Sequence, residues 1–300
     1  MGYISDNLNK IDNTKEDVKK LYDIFNSIDD FKIPIIRFFL GAGEFVLRQR
    51  LNEKGKEFIH IHELTYPQDN LCKHYGRANI PYHSMFYCCC QTPEEGAIYP
   101  RLLSLMETSK ILKDKESKGI ERSTLSKWKV TQRLELLMMP FRTSYARPNP
   151  MIKQIQKEWE EGIKKSNVDS NGLELVYYMS DELAKDTTDE YGYFKIANYI
   201  YYLLYINNKT KNADGIIYPS IPSAGEGFNI ALKPTSVDSK LKFDMASLTY
   251  LYKNGEHSYY RIVNHSKLID KIKGLIFEPM PNDVIEDIKL LKYQGLDFIN

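Results

Sequence analysis

Between Tyr75 and Glu107 the chain presents a guanidinium, a carboxamide, a phenol and a carboxylate: Arg77, Asn79, Tyr87 and Glu107. Arg77 follows a glycine, Tyr87 ends the apolar run Met85-Phe86-Tyr87, and Glu107 lies in a stretch of helical character. Such a set suits a substrate with phosphates at one end and a forming cation at the other. Arginine offers a planar fork of donors to phosphate oxygens. Tyrosine offers a flat face and a polar tip. A carboxylate stabilises an oxocarbenium-like centre and grips sugar hydroxyls, as in glycoside cleavage. Spacing alone also fits a blander arrangement, a turn with a solvated arginine followed by a core strand.

Positioning these groups requires a strand, a loop and a helix in succession. The run Phe45-Val46-Leu47-Arg48-Gln49-Arg50 reads as a strand, and alternation sets Arg48 and Arg50 on one face. That pair is either solvated or a second set of phosphate donors. Phe58 to Leu64 reads as a further strand with alternating histidines. Pro100 can open the helix that carries Leu102, Leu103, Leu105, Met106 and Glu107. Residues 113–126 are charged and read as a loop or hairpin, and Trp128 to Phe141 as strand-rich. Asp189 to Tyr205 has apolar residues at 3–4 spacing and predicts an amphipathic helix. Strands follow at Gly215–Tyr218 and Phe228–Leu232, flanking a loop Ser223-Ala224-Gly225-Glu226-Gly227, with more strands over 240–263 and a helix within 266–294. Near the start, a polar arm leads into a helix. Its apolar face is Val18, Leu21, Tyr22, Phe25 and Ile28, and Thr14 with Asp17 resembles a capping box.

The totals narrow the function classes. A net charge of +1 argues against nucleic acid or an anionic membrane as the partner. No stretch has the length of a membrane span, and the N-terminus lacks a signal pattern, so a soluble, cytoplasmic protein is expected. The four cysteines, Cys72 and the run Cys88-Cys89-Cys90, do not form a metal pattern, because neighbours on a strand point to opposite faces. They read as free thiols in a reducing compartment.

Two stretches resemble the motifs of RES-domain proteins. Gly76-Arg77-Ala78-Asn79, followed by Pro81 and by Phe86-Tyr87, resembles the opening motif. Asp214-Gly215-Ile216-Ile217-Tyr218-Pro219-Ser220, followed by Gly227-Phe228-Asn229, resembles the closing motif. The resemblance covers roughly residues 44–245 and implies an α+β fold like that of ADP-ribosyltransferases, with mixed and antiparallel sheets and flanking helices. It divides the chain into an N-terminal helical arm (1–43), a RES-like domain (44–250) with a charged insertion around 110–172, and a C-terminal extension (251–300) packing on the domain. Most members are toxins of bacterial toxin–antitoxin pairs that break down NAD, by hydrolysis or phosphorolysis, and some ADP-ribosylate a protein.

Carried over residue by residue, the resemblance makes Arg77 a ligand for phosphate or ribose oxygens. Tyr87 would pack against nicotinamide or its ribose, Ser220 would orient that ribose, and Asn229 would fix the glycine loop. Asn79 and the Arg48/Arg50 pair would add substrate contacts. The glutamate departs from the compact pattern: the corresponding position is Ile98, Glu94 and Glu95 come early, and Glu107 fits the helix of longer members. The expectation is therefore an NAD+ glycohydrolase or phosphorylase, with NAD+ as substrate, phosphate as an admissible co-substrate, no resident cofactor and no metal. Arg77, Tyr87, Ser220 and Glu107 are its catalytic set. The alternatives are a protein ADP-ribosyltransferase and a non-catalytic nucleotide- or partner-binding protein of the same fold. An antitoxin protein and a second copy of the chain are the partners that the resemblance admits.

Overall fold

The short apolar runs join in one sheet in the computed structural model, which describes residues 2–14, 17–28, 33–53, 56–90, 100–139, 150–165, 168–223, 227–270 and 274–279. The strands are β1 (Ile36–Leu40), β2 (Phe45–Leu51), β3 (Phe86–Cys90), β4 (Lys118–Val130), β5 (Leu134–Met138), β6 (Gly215–Pro219), β7 (Phe228–Leu232), β8 (Leu241–Asn254), β9 (His257–Asp270) and β10 (Gly274–Pro279). They form a ten-stranded sheet in the order β1-β5-β6-β7-β3-β2-β4-β8-β9-β10. Neighbours run antiparallel except β5 and β6, which are parallel. The helices are α1 (Tyr3–Asn9), α2 (Val18–Asn26), α3 (Pro100–Thr108), α4 (Pro150–Lys165), α5 (Ser170–Ala184), α6 (Phe194–Tyr201) and α7 (Pro234–Lys240). The expected α+β class, with a mixed and mostly antiparallel sheet, is what the chain adopts.

The central strands are buried along their whole length, which explains why they read as apolar runs without alternation. Ala231 and Ile216 face the core built with α1, α2, α5 and α6. Phe228, Ile230, Leu232 and Ile217 face a second core with Phe86, Trp128 and Val237. Asn229 shares the face of Ala231 by alternation, so a polar side chain is delivered beneath the helices. Gly215 is dictated by approach: a Cβ there would collide with the Ala231 carbonyl.

Several elements differ from the sequence reading. The arm contains α1, and Thr14 donates to the Asp17 carboxylate at 2.8 Å instead of capping α2. Phe58 to Leu64 is not a strand. The Glu63 carboxylate accepts the Ile59 and His60 N–H groups, each at 3.0 Å, and closes a short 3-10 turn over Ile61–Glu63. The charged residues from Lys118 belong to β4, where pairing with β8 from Lys118↔Asn254 to Val130↔Leu241 holds them without deep burial. The amphipathic helix starts at Phe194 because the Asp189 side chain accepts the Tyr191 N–H and its carbonyl accepts the Gly192 N–H, a local turn. It ends in a π-helical turn over Tyr202–Ile206. Hydrogen-bonded structure crosses both expected domain boundaries: β1 lies before the first, and the second falls inside β8. Of the span 266–294, in which a helix is expected, the described residues belong to β9 and β10, and the rest lies outside the described residues. Among the described residues, no helix is long and apolar enough to cross a membrane.

The N-terminal helix is fastened by one charge. Glu174, on α5, accepts the Ser5 N–H at 3.0 Å and the Ile4 N–H at 3.3 Å, capping α1 from across the interface. Burial opposes its charge, but the bonds from Ser5, Ile4 and Gly2 outweigh it and hold its pKa below the ordinary 4.5. A depressed carboxylate pKa adds stability that is present above the unfolded value and lost as pH falls through the folded one. Backbone amides of α1 should therefore lose hydrogen-exchange protection as pH falls below the ordinary carboxylate range, before the central strands do. Glu174→Gln should abolish that pH dependence; α1 protection indifferent to both changes would refute the capping role.

Candidate functional site

The sheet opens where β2 and β3 part. These strands pair only at Val46↔Cys90 and Leu47↔Cys89, while β3 continues its ladder with β7 through Phe86↔Leu232. Beyond the split, the Arg48 guanidinium donates to the Tyr87 carbonyl at 2.8 Å, a side chain filling in for a missing ladder bond. A cavity of about 760 Å³ lies above this region, within the size range of small-molecule sites. Tyr218, Asn229, Tyr87 and Cys89 are among the sheet residues that line it, Glu107 and Ser104 come from α3, and Arg77 and Tyr193 stand opposite.

Glu107 is the most heavily organised group there. Its Oε1 accepts from Ser220 Oγ at 2.6 Å and from Asn229 Nδ2 at 2.6 Å. Both donors are buried, whereas the glutamate side chain keeps 22% of its surface open. Its Oε2 lies 4.0 Å from Arg77 Nη1, so the two charges face each other across a gap instead of forming a tight pair. Ser220 sits at the end of β6 and also receives the Ser223 N–H at 3.3 Å. One strand end, one mid-strand position and one helix thus converge on a single oxygen.

Arg77 is held at the tip of a tight turn. Gly76 and Asn79 form a bridge, with the Gly76 N–H on the Asn79 carbonyl at 3.0 Å. A Cβ on Gly76 would strike the Asn79 side chain and the Tyr87 hydroxyl, so this position excludes larger residues. The guanidinium donates to the Lys185 carbonyl at 3.1 Å, lies 3.8 Å from the exposed Asp186 carboxylate and stacks 5.3 Å from the Tyr193 ring. Burial opposes its charge, but Tyr218, Tyr193, Glu107 and Asp186 outweigh it and raise its pKa. Its Nε is buried without a hydrogen-bond partner among the described residues.

The remaining expected contacts divide. Arg48 lines the cavity, but its guanidinium lies over Phe86 at 5.3 Å, and burial followed by Arg50 lowers its pKa to about 10. Arg50 does share the face of Arg48, yet it lies 4.6 Å over Phe58, donates to the Glu63 carbonyl and does not line the cavity. The structure therefore places it away from the cavity, among contacts to Phe58 and the Glu63 carbonyl. Asn79 lines the cavity, but its side chain accepts the Tyr87 hydroxyl at 2.8 Å and donates to the His74 carbonyl at 3.2 Å, so it is committed to the turn. Asn229, expected to fix the glycine loop, engages Glu107 and Cys89, and residues 224–226 of that loop lie outside the described residues. Ile98, Glu94 and Glu95 lie outside the described residues.

Tyr87 has a role the sequence reading did not assign. Its hydroxyl accepts the Ala78 N–H at 3.0 Å while donating to Asn79, so the phenol ties the arginine turn to β3. Tyr87→Phe should leave the Ala78 N–H unpaired and cost about 1–3 kcal/mol of stability. The affinity for ligands that engage Arg77 should fall with it. A melting temperature and a binding isotherm both equal to wild type would contradict this clamp. Tyr193, Tyr218, Ser104 and Cys89 were not assigned to the site from sequence; the available signal was parity, since Cys89 stands two residues beyond Tyr87 and so shares its face.

Compared with known proteins, the chain matches no protein-family model, and no curated protein matches it.

Proposed function

We propose that the cavity binds NAD+ and that the protein cleaves its nicotinamide–ribose bond. The observation that carries the reading is the convergence of Ser220 and Asn229 on Glu107, with Arg77 across a gap of 4.0 Å. Arg77, Ser220 and Asn229 belong to the stretches on which the resemblance to RES-domain proteins rests, and Glu107, where the sequence departs from the compact pattern, is the glutamate favoured on the helix of longer members. A carboxylate fixed by two donors on one oxygen presents its other oxygen to the cavity without further reorganisation. An arginine with an unpaired buried Nε, facing that carboxylate, suits the phosphates of a dinucleotide.

In the reaction, the C–N bond to nicotinamide breaks and its electron pair stays with the departing ring, which leaves neutral. No general acid is needed. The positive charge that develops on the ribose is stabilised by Glu107, and Arg77 keeps the sugar in place through the pyrophosphate. Water or phosphate then captures the cation at the anomeric carbon, and a proton is released when water is the acceptor. On this reading the protein acts in the cytoplasm on the NAD+ pool, as a toxin-like enzyme with an antitoxin protein as partner.

The test is incubation of the purified protein with NAD+, with and without phosphate, following nicotinamide. Release that phosphate accelerates defines a phosphorylase, and release indifferent to phosphate defines a hydrolase. Binding of NAD+ without release would overturn the catalytic reading in favour of a nucleotide-binding protein.

A further inference from the structure

Leu47, Cys89, Asn229 and Tyr218 lie side by side across β2, β3, β7 and β6, as the pairings Leu47↔Cys89, Cys89↔Asn229 and Tyr218↔Asn229 require. Partners in register project to the same face, so this row forms part of the cavity floor. Cys88 and Cys90 project to the other side, into the second core. Within the row, the Cys89 thiol lies 3.2 Å from Asn229 Oδ1, and Asn229 Nδ2 lies 2.6 Å from Glu107 Oε1. Cys89 and Asn229 are both buried, so water does not compete for these groups.

The donor inventory fixes the direction of this chain. An ionised glutamate only accepts, so Asn229 must turn its NH2 toward Glu107. Its carbonyl oxygen then points at Cys89 and needs a donor, which the S–H supplies. Without that donor the carbonyl oxygen is buried and unpaired, and the amide, anchored only through its NH2, cannot relieve it by rotating. The rotated oxygen would face the Glu107 oxygen, acceptor against acceptor. The thiol is suited to remain a donor: burial, and then Cys88 and Glu107, push its pKa well above the ordinary value.

We propose, resting on the reading above, that Cys89 is a positioning residue whose thiol sets the orientation of the Asn229 amide and through it the Glu107 carboxylate. It does not touch the reacting atoms. The sheet brings it to this place by register alone, which is why a thiol in an apolar CCC run carries no local mark of the role.

The experiment compares wild type, Cys89→Ala, Cys89→Ser and Cys90→Ala, with kcat and KM for nicotinamide release measured separately. Cys90 is the control because it is buried on the opposite face and does not line the cavity. Cys89→Ala should lower kcat about fivefold to tenfold, the loss of roughly one hydrogen bond, with KM unchanged. Cys89→Ser, which retains an O–H donor, should return kcat to within about twofold of wild type, and Cys90→Ala should melt earlier without losing kcat. A Cys89→Ala enzyme with wild-type kcat, or a serine that fails to rescue while the protein remains folded, overturns the proposal. A readout independent of turnover is the side-chain NH2 of Asn229 by NMR. Slow exchange in wild type and Cys89→Ser, lost in Cys89→Ala, supports the positioning role even if no variant releases nicotinamide, in which case only the catalytic reading falls. Unchanged NH2 exchange in Cys89→Ala overturns the positioning role itself.

Discussion

Glu107→Gln should lower nicotinamide release by about two to three orders of magnitude, a loss of roughly 2–4 kcal/mol of transition-state stabilisation. The substitution keeps the shape of the side chain, so its effect isolates the charge. Ser220 and Asn229 both donate to Oε1. A glutamine can satisfy them only by placing its carbonyl oxygen there, which turns its NH2 toward the ribose. The cavity then meets the developing cation with a donor instead of an anion. Substrate in its ground state carries no such charge on the sugar, so the affinity for ADP-ribose should change little, and the loss should appear in kcat. Ser220→Ala removes one of two donors on the same oxygen and should cost less, nearer the value of a single hydrogen bond. Release by Glu107→Gln at the wild-type rate would remove this glutamate from the mechanism.

How much of this arrangement was legible in the sequence depends on the kind of signal each residue leaves. The strands on either side of Ser220 were legible because a β-branched run follows Asp214-Gly215, and Gly215 is required by close approach to Ala231, whereas Ser220 itself was singled out only by the resemblance. Arg77 was legible from its glycine neighbour, and Glu107 from the helix that Pro100 opens. Arg50 shows the opposite case. Alternation correctly paired it with Arg48, but parity does not say which face of the sheet holds the cavity, and that face belongs to the second core. Asp214 opens the closing motif, but the sequence reading carried no structural role for it. It is buried, accepts the Glu135 N–H at 2.7 Å, Ser236 Oγ at 2.8 Å and Lys240 Nζ at 2.8 Å, and so anchors the start of β6 to β5 and α7. Such tertiary partners lie far apart in the chain, and nothing local announces them. The same holds for β4, whose charged first half is set in a strand by β8, more than a hundred residues later.

Arg77→Ala should reduce kcat/KM for NAD+ by about two to three orders of magnitude, and much of that loss should be visible in the binding of ADP-ribose, which lacks the nicotinamide. The reason lies in what surrounds the guanidinium. Its turn is locked by Asn79 and Tyr87, its Nη2 is held by the Lys185 carbonyl, and the facing carboxylates of Glu107 and Asp186 stand at 4.0 Å and 3.8 Å. Removing the cation leaves Glu107 and Asp186 unscreened around the place where phosphates are to bind, so repulsion adds to the lost contacts. Arg77→Lys restores the charge but not the fork. A lysine ammonium has three donors, but they are tetrahedral and cannot match the planar fork that meets a phosphate while the Lys185 carbonyl is held, so the lysine variant should recover only part of the loss. Equal affinity of the alanine variant and wild type for ADP-ribose would show that the phosphates do not bind at Arg77. Weak binding by the alanine variant, with intermediate binding by lysine, would fix the pyrophosphate end of the cavity. Set beside Glu107→Gln, such a result would separate the positioning of the substrate from the stabilisation of its cation.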